Sequence, residues 1–112
     1  MNFLKGNVEH DRFVLEGGHT LPLPAGVSDT SGTLIYGIRP EHLILSDEGL
    51  PLTVTVVEPT GSETQIIARH GSQTIVCIFR DRVLPKVGET ITVAPDLSRV
   101  HLFSESTGRR LS

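Results

Sequence analysis

Apolar and polar residues alternate along this chain in short stretches, and glycine or proline interrupts nearly every one of them. The clearest stretch is Leu50 to Glu58, with Leu52, Val54 and Val56 on one face and Thr53, Thr55 and Val57 on the other. A period of two predicts a strand. Glu63 to Arg69, carrying Ile66, Ile67 and Ala68, is also expected to be a strand, as are Thr90 to Ala94 and Val100 to Phe103. Gln73 to Phe79 holds the most apolar run and is expected to be the most buried strand. Asn2 to His10 opens the chain as a strand. Arg12 to Glu16 and His19 to Leu23 then flank Gly17-Gly18, a two-residue connection suited to a tight hairpin. Pro22 and Pro24 restrict the second arm to a sheet edge.

Between these runs lie turns and loops: Ala25 to Gly32, Ser46 to Gly49, Pro59 to Ser62, His70 to Ser72, Arg80 to Pro85 and Lys86 to Glu89. Pro95 to Ser98 suits one helical turn. Ser104 to Gly108 is a polar turn, after which Arg109 to Leu111 can pair once more.

Thr33 to Ile38 is a strand that stops abruptly. Pro40 lacks an N–H for the ladder and drives Arg39 into an extended conformation. Proline also suits the first position of a helical turn, with the Glu41 carboxylate near its positive end. His42 and Leu43 complete the turn, giving a strand–turn–strand corner pinned by Pro40.

Eight to ten short strands indicate a small all-β barrel or sandwich. At 112 residues, one domain spanning 1–112 is expected, large enough for a core without metals or disulfides. A single cysteine, Cys77, excludes an internal disulfide and fits a reducing compartment. The formal charge of −3 carries no basic footprint beyond Arg109-Arg110, which disfavours nucleic acid. No run approaches the ~20 apolar residues of a membrane span, and no signal-peptide pattern is visible.

Gly37-Ile38-Arg39-Pro40-Glu41-His42-Leu43 resembles a motif in the C-terminal TOBE domain of the ATPase subunits of bacterial ABC importers for sugars and glycerol phosphate, the maltose-transporter class. Met1-Asn2-Phe3-Leu4 resembles the junction that follows their nucleotide-binding domain. Val57 to Thr64 resembles their glutamate, glycine, glutamate–threonine segment, and His101-Leu102-Phe103 their closing strand. The resemblance implies an OB-like Greek-key barrel with extra N-terminal strands. It also implies a non-catalytic regulatory domain that contacts its counterpart in a homodimer of ATPases and can receive regulatory proteins. Such a subunit lies in the cytoplasm, peripheral to the inner membrane through its permease partners. ATP and Mg would belong to the ATPase domain, which this segment lacks, and no cofactor is expected here.

Tyr36, Arg39, Pro40, Glu41 and His42 are the candidate interface residues, and Gly61, Ser62 and Glu63 form a candidate functional turn. No Gly-x-x-x-x-Gly-Lys-Ser/Thr phosphate loop occurs, so nucleotide hydrolysis by these residues is not expected. His10, His19, His42, His70 and His101 lack metal-ligand spacing and fall on different elements. Cys77 reads as core. Arg39 is expected to hold a carboxylate or a loop carbonyl. Glu58 and Glu63 bracket a solvated turn. An alternative is a molybdate-like oxyanion module using Ser62, Thr64 and Lys86, since TOBE-like domains also occur in molybdate-binding proteins. An OB-type nucleic-acid binder is disfavoured by charge.

Overall fold

A computed structural model describes residues 1–27, 29–80 and 85–112. It is all-β and OB-like, with strands β1 (Asn2–Glu9), β2 (Arg12–Leu15), β3 (Thr20–Pro22), β4 (Leu34–Ile38), β5 (Leu43–Thr60), β6 (Glu63–His70), β7 (Gln73–Phe79), β8 (Thr90–Pro95) and β9 (His101–Ser104). They form two antiparallel sheets, ordered β3-β2-β1-β4-β9 and β7-β6-β5-β8. Single 3₁₀ turns at Pro40–His42 and Leu97–Arg99 link the sheets' strands. Among the described residues, no helix is long and apolar enough to cross a membrane.

Tight turns set the registers. His10 and Asp11 join β1 to β2 with φ of 51° and 62°, the two left-handed positions of a type I′ hairpin. The glycine pair at 17–18 does turn the next hairpin, but Glu16 joins it. Leu15 N–H donates to His19 O at 2.8 Å, so three residues lie in the loop rather than two. β3 is an edge strand, as its prolines require.

Three sequence expectations change in β5 and β7. Ser46 to Gly49 does not end a strand: Leu45 and Leu50 both sit opposite Val93, so these residues bulge out of a continuous β5. Gly49 lets this happen, since a Cβ there would lie 2.2 Å from Val93 O. A second bulge lies between Val54 and Val56, whose partners Ala68 and Ile67 are adjacent. Thr55 is the extra residue, and its hydroxyl donates to Ile67 O at 2.9 Å. The alternation therefore flips, leaving Val56 exposed while Val57 packs against the core. Finally, β7 is not the most buried strand. It forms the edge of its sheet and alternates, with Ile75, Cys77 and Phe79 inward. β4 is more enclosed, flanked by β1 and β9. Most of the Arg80 to Pro85 loop lies outside the described residues.

One apolar core joins the sheets, with Phe13, Leu34, Tyr36 and Leu102 from the first and Leu52, Ile66, Ile75 and Cys77 from the second. Phe13 and Tyr36 meet at a ring separation of 5.0 Å. Burying each large side chain stabilises the fold by about 1.5–3 kcal/mol.

Candidate functional site

The Gly37–Leu43 corner carries the chain from β4 in one sheet to β5 in the other. Arg39 is extended, with φ −75° and ψ 149°, as the following proline demands. Pro40 opens the 3₁₀ turn, and His42 N–H donates to Arg39 O at 3.0 Å. His42 O then accepts from Asp96 N–H at 2.9 Å, tying the corner to the segment after β8. The corner is rigid because proline fixes one side and a hydrogen bond that continues the β5–β8 pairing fixes the other.

Its residues divide by exposure. Arg39 and Glu41 are exposed, Pro40 and His42 half-buried, and Leu43 buried. Tyr36 must be removed from the candidate surface. It is fully buried, and its hydroxyl donates to Pro22 O at 2.8 Å, fastening β3 over the core. Burial also drives its phenol well above the ordinary range, so it stays protonated. Arg39 likewise departs from expectation. Among the described residues, no carboxylate lies within ion-pairing distance of its guanidinium, and its side chain makes no hydrogen bond.

Strand pairing adds two residues to the corner. His101 sits opposite Gly37 in the β4–β9 ladder, and Arg110 pairs opposite Phe103. Leu102 points into the core, so its neighbours His101 and Phe103 face outward. Burial, then the charges of Arg110, Arg39 and His42, hold the His101 imidazole below its usual pKa. Residues 101 and 110 are far in sequence from the 37–42 corner, and the β4–β9 register brings them alongside it. The alternation in His101-Leu102-Phe103 hinted at the facing, but not at the neighbour.

Two of the other histidines meet in the fold. His19 and His70 meet at 4.9 Å between ring centroids, and His70 Nδ1 lies 3.1 Å from Pro51 O. Among the described residues, no group of three or more His, Cys, Asp or Glu side chains could hold a metal. Cys77 is fully buried, and burial pushes its thiol up to about 12, the state of an inert core residue.

Gly61 and Ser62 form the two-residue turn between β5 and β6, with Thr60 opposite Glu63 and Gly61 at φ 75°. Glu63 lies 4.0 Å from the exposed Arg80, and Glu58 is exposed two strand positions before the tip. The suggested oxyanion group does not converge. Thr64 is buried opposite Pro59, while the turn holding Lys86 bonds to Val54 through Gly88 N–H. The difference along β5 is roughly 16 Å, at about 3.3 Å per residue. Lys86 also directs its own N–H to Glu89 at 2.8 Å.

Comparison with known proteins agrees with this architecture. Residues 36–103 match the TOBE domain family, and residues 1–43 match the MalK OB fold domain. An ABC transporter ATP-binding protein of Sinorhizobium fredii, y4oS, is 42% identical over 116 aligned residues, covering 100% of this chain and 31% of the relative. The sn-glycerol-3-phosphate import ATP-binding proteins UgpC of Escherichia coli O1:K1 and of Salmonella typhi are 35% and 37% identical, covering 99% of this chain and 33% of each relative. The chain therefore spans about a third of the length of these relatives. It belongs to the TOBE domain family, in the form found in ATP-binding proteins of ABC transporters.

Proposed function

We propose that this chain is the accessory domain of the ATP-binding subunit of a bacterial ABC importer for sugars or glycerol phosphate. The observation that carries this reading is the alignment of 99–100% of the chain with a third of ABC-transporter ATP-binding proteins. In this role the domain does no chemistry itself. ATP and Mg are handled by a catalytic domain outside these residues, and the 1–112 unit positions that domain relative to a second copy. The exposed corner residues Arg39 and Glu41, with half-buried Pro40 and His42, are the contact surface we assign. Gly61, Ser62 and Glu63 shape an exposed hairpin tip open to a regulatory protein. The subunit works on the cytoplasmic face of the inner membrane, held there by permease partners.

A rigid corner suits docking because little conformational entropy is lost when it is covered. Two copies meeting through one patch are related by a two-fold axis. Cut from the rest of the dimer, such a patch falls in the range below ~1,200 Å² where association is weak.

Antibody against this segment, used on native lysate, tests the first part. The expected product is about three times this chain's length, matching the relatives. A product no longer than this chain rejects the reading. Sedimentation velocity of the full-length subunit tests the contact. Reversing charge with Glu41→Lys should weaken its dimer, and an unchanged dimer removes the corner from the interface. The isolated chain should form only partial dimer at micromolar concentration and should not bind ATP.

A further inference from the structure

His19 lies in the hairpin loop between β2 and β3 of the first sheet, and His70 ends β6 in the second. Their ring centres are nonetheless 4.9 Å apart, with the ring planes at 83°. His70 is 9% exposed, and its Nδ1 lies 3.1 Å from Pro51 O. A carbonyl can only accept, so neutral His70 carries its ring proton on Nδ1 and its lone pair on Nε2. Nε2 makes no hydrogen bond. Among the described residues, the enclosed side-chain atoms without a partner are Nδ1 of His42 and Nδ1 of His101, so His70 Nε2 is open to solvent. Metal-binding histidines are set up in this way, with one ring N–H given to a backbone carbonyl and the other nitrogen free. His19 is exposed, and among the described residues its ring makes no hydrogen bond or ion pair. Its backbone is fixed, because His19 O accepts from Leu15 N–H at 2.8 Å.

We propose that His19 and His70 form a two-imidazole site for a divalent transition-metal ion of the Zn²⁺ or Ni²⁺ type, which ties the β2–β3 hairpin to the second sheet. A metal ~2.0–2.1 Å from an imidazole nitrogen stands about 3.2 Å from the centre of that ring. Two such rings, at tetrahedral or right-angled positions on one ion, have centres about 4.5–5.2 Å apart. The observed 4.9 Å falls inside that range. Pro51 already orients His70, and the exposed His19 ring is free to turn a nitrogen toward the shared point. Imidazole suits Zn²⁺, Ni²⁺ and Cu²⁺, whereas Mg²⁺ and Ca²⁺ require oxygen ligands. Two protein ligands leave the other positions to water, so the ion exchanges with solvent, unlike a structural zinc held by four side chains. This agrees with the absence, among the described residues, of any ligand group of three or more.

Ring resonances of the five histidines, followed by NMR while ZnCl₂ is added to the chain in neutral buffer free of phosphate and chelators, test the site. Saturable shifts confined to His19 and His70 are expected, at one ion per chain and with a Kd below about 1 mM. MgCl₂ at the same concentrations should shift neither ring. His19→Ala should weaken Zn²⁺ binding about tenfold or more. The side chain it removes is exposed, so the amide spectrum should stay native. Thermal unfolding gives a second readout. An ion that binds the folded chain raises its Tm in step with concentration, and His19→Ala should remove that rise. Shifts at His10, His42 or His101 as large as those at His19 and His70, absence of saturation, an equal response to Mg²⁺, a Tm that Zn²⁺ leaves unchanged, or undiminished affinity in His19→Ala would each overturn the site.

Discussion

The side chain of Asn2 pairs with the backbone of Val76 as another strand would. Its Nδ2 donates to Val76 O at 2.8 Å, and its Oδ1 accepts from Val76 N–H at 2.9 Å. Asn2 starts β1 in the first sheet, and Val76 lies mid-way along β7, the edge of the second. One amide thus covers part of an open edge and closes the gap between the sheets.

Asn2→Ala should therefore leave both Val76 groups unpaired and destabilise the chain by about 1–3 kcal/mol. Asn2→Asp should do no better, because the carboxylate faces Val76 O without a proton to donate. Urea unfolding of the two variants checks this, and a loss below about 0.5 kcal/mol in both would mean that water replaces the amide at no cost.

Two glycines should separate strain from crowding. Gly61 has φ 75° with open space around its missing Cβ, so Gly61→Val should cost a little over ~1 kcal/mol through backbone strain alone. At Gly6 a Cβ would lie 2.3 Å from Val14 O and 2.8 Å from the Phe13 ring. Gly6→Ala should therefore cost clearly more than Gly61→Ala. Denaturation midpoints in the reverse order would contradict this ranking.

Cys77 should be silent toward thiol reagents in the native chain. Its thiol is pushed up to about 12 by burial, and the fraction present as thiolate near neutral pH is negligible. Labelling with a disulfide reagent at mildly alkaline pH should follow the rate of unfolding and accelerate in urea. Immediate stoichiometric labelling without denaturant would show that β7 opens locally.

His101 should make the fold sensitive to acid. Its folded imidazole is held below the ordinary 6.5 by burial and by Arg110, Arg39 and His42. As pH falls through about 6.5, the unfolded chain binds a proton that the folded chain resists. Stability from this group is therefore complete above about 6.5 and declines below it. His101→Gln should flatten that decline. A variant that loses stability with the same slope would place the acid sensitivity elsewhere.

Much of this architecture was legible in local chemistry. Pro40 forced the corner because a missing N–H and a clash with the preceding residue act within two positions. Gly17-Gly18 and Gly61 marked hairpins for the same local reason, a positive φ that other residues resist. Short runs bounded by turn residues identified β1, β6, β8 and β9 to within a residue or two. Cys77 was assigned to the core from its apolar neighbours alone, and it is buried.

Pairing between distant strands decided the rest. Whether Ser46 to Gly49 turns or bulges depends on Val93, which fixes Leu45 and Leu50 opposite a single residue. Val56 and Val57 exchange faces because Thr55 is squeezed out against β6, a misfit that no pattern within β5 encodes. Tyr36 reads as a surface aromatic beside the corner until Phe13 and Pro22 enclose it. The grouping of Arg39, His42, His101 and Arg110 follows the same rule. Each residue's chemistry is written in the sequence, but their convergence is a property of sheet register, set by core packing and hydrogen bonds between segments far apart in the chain.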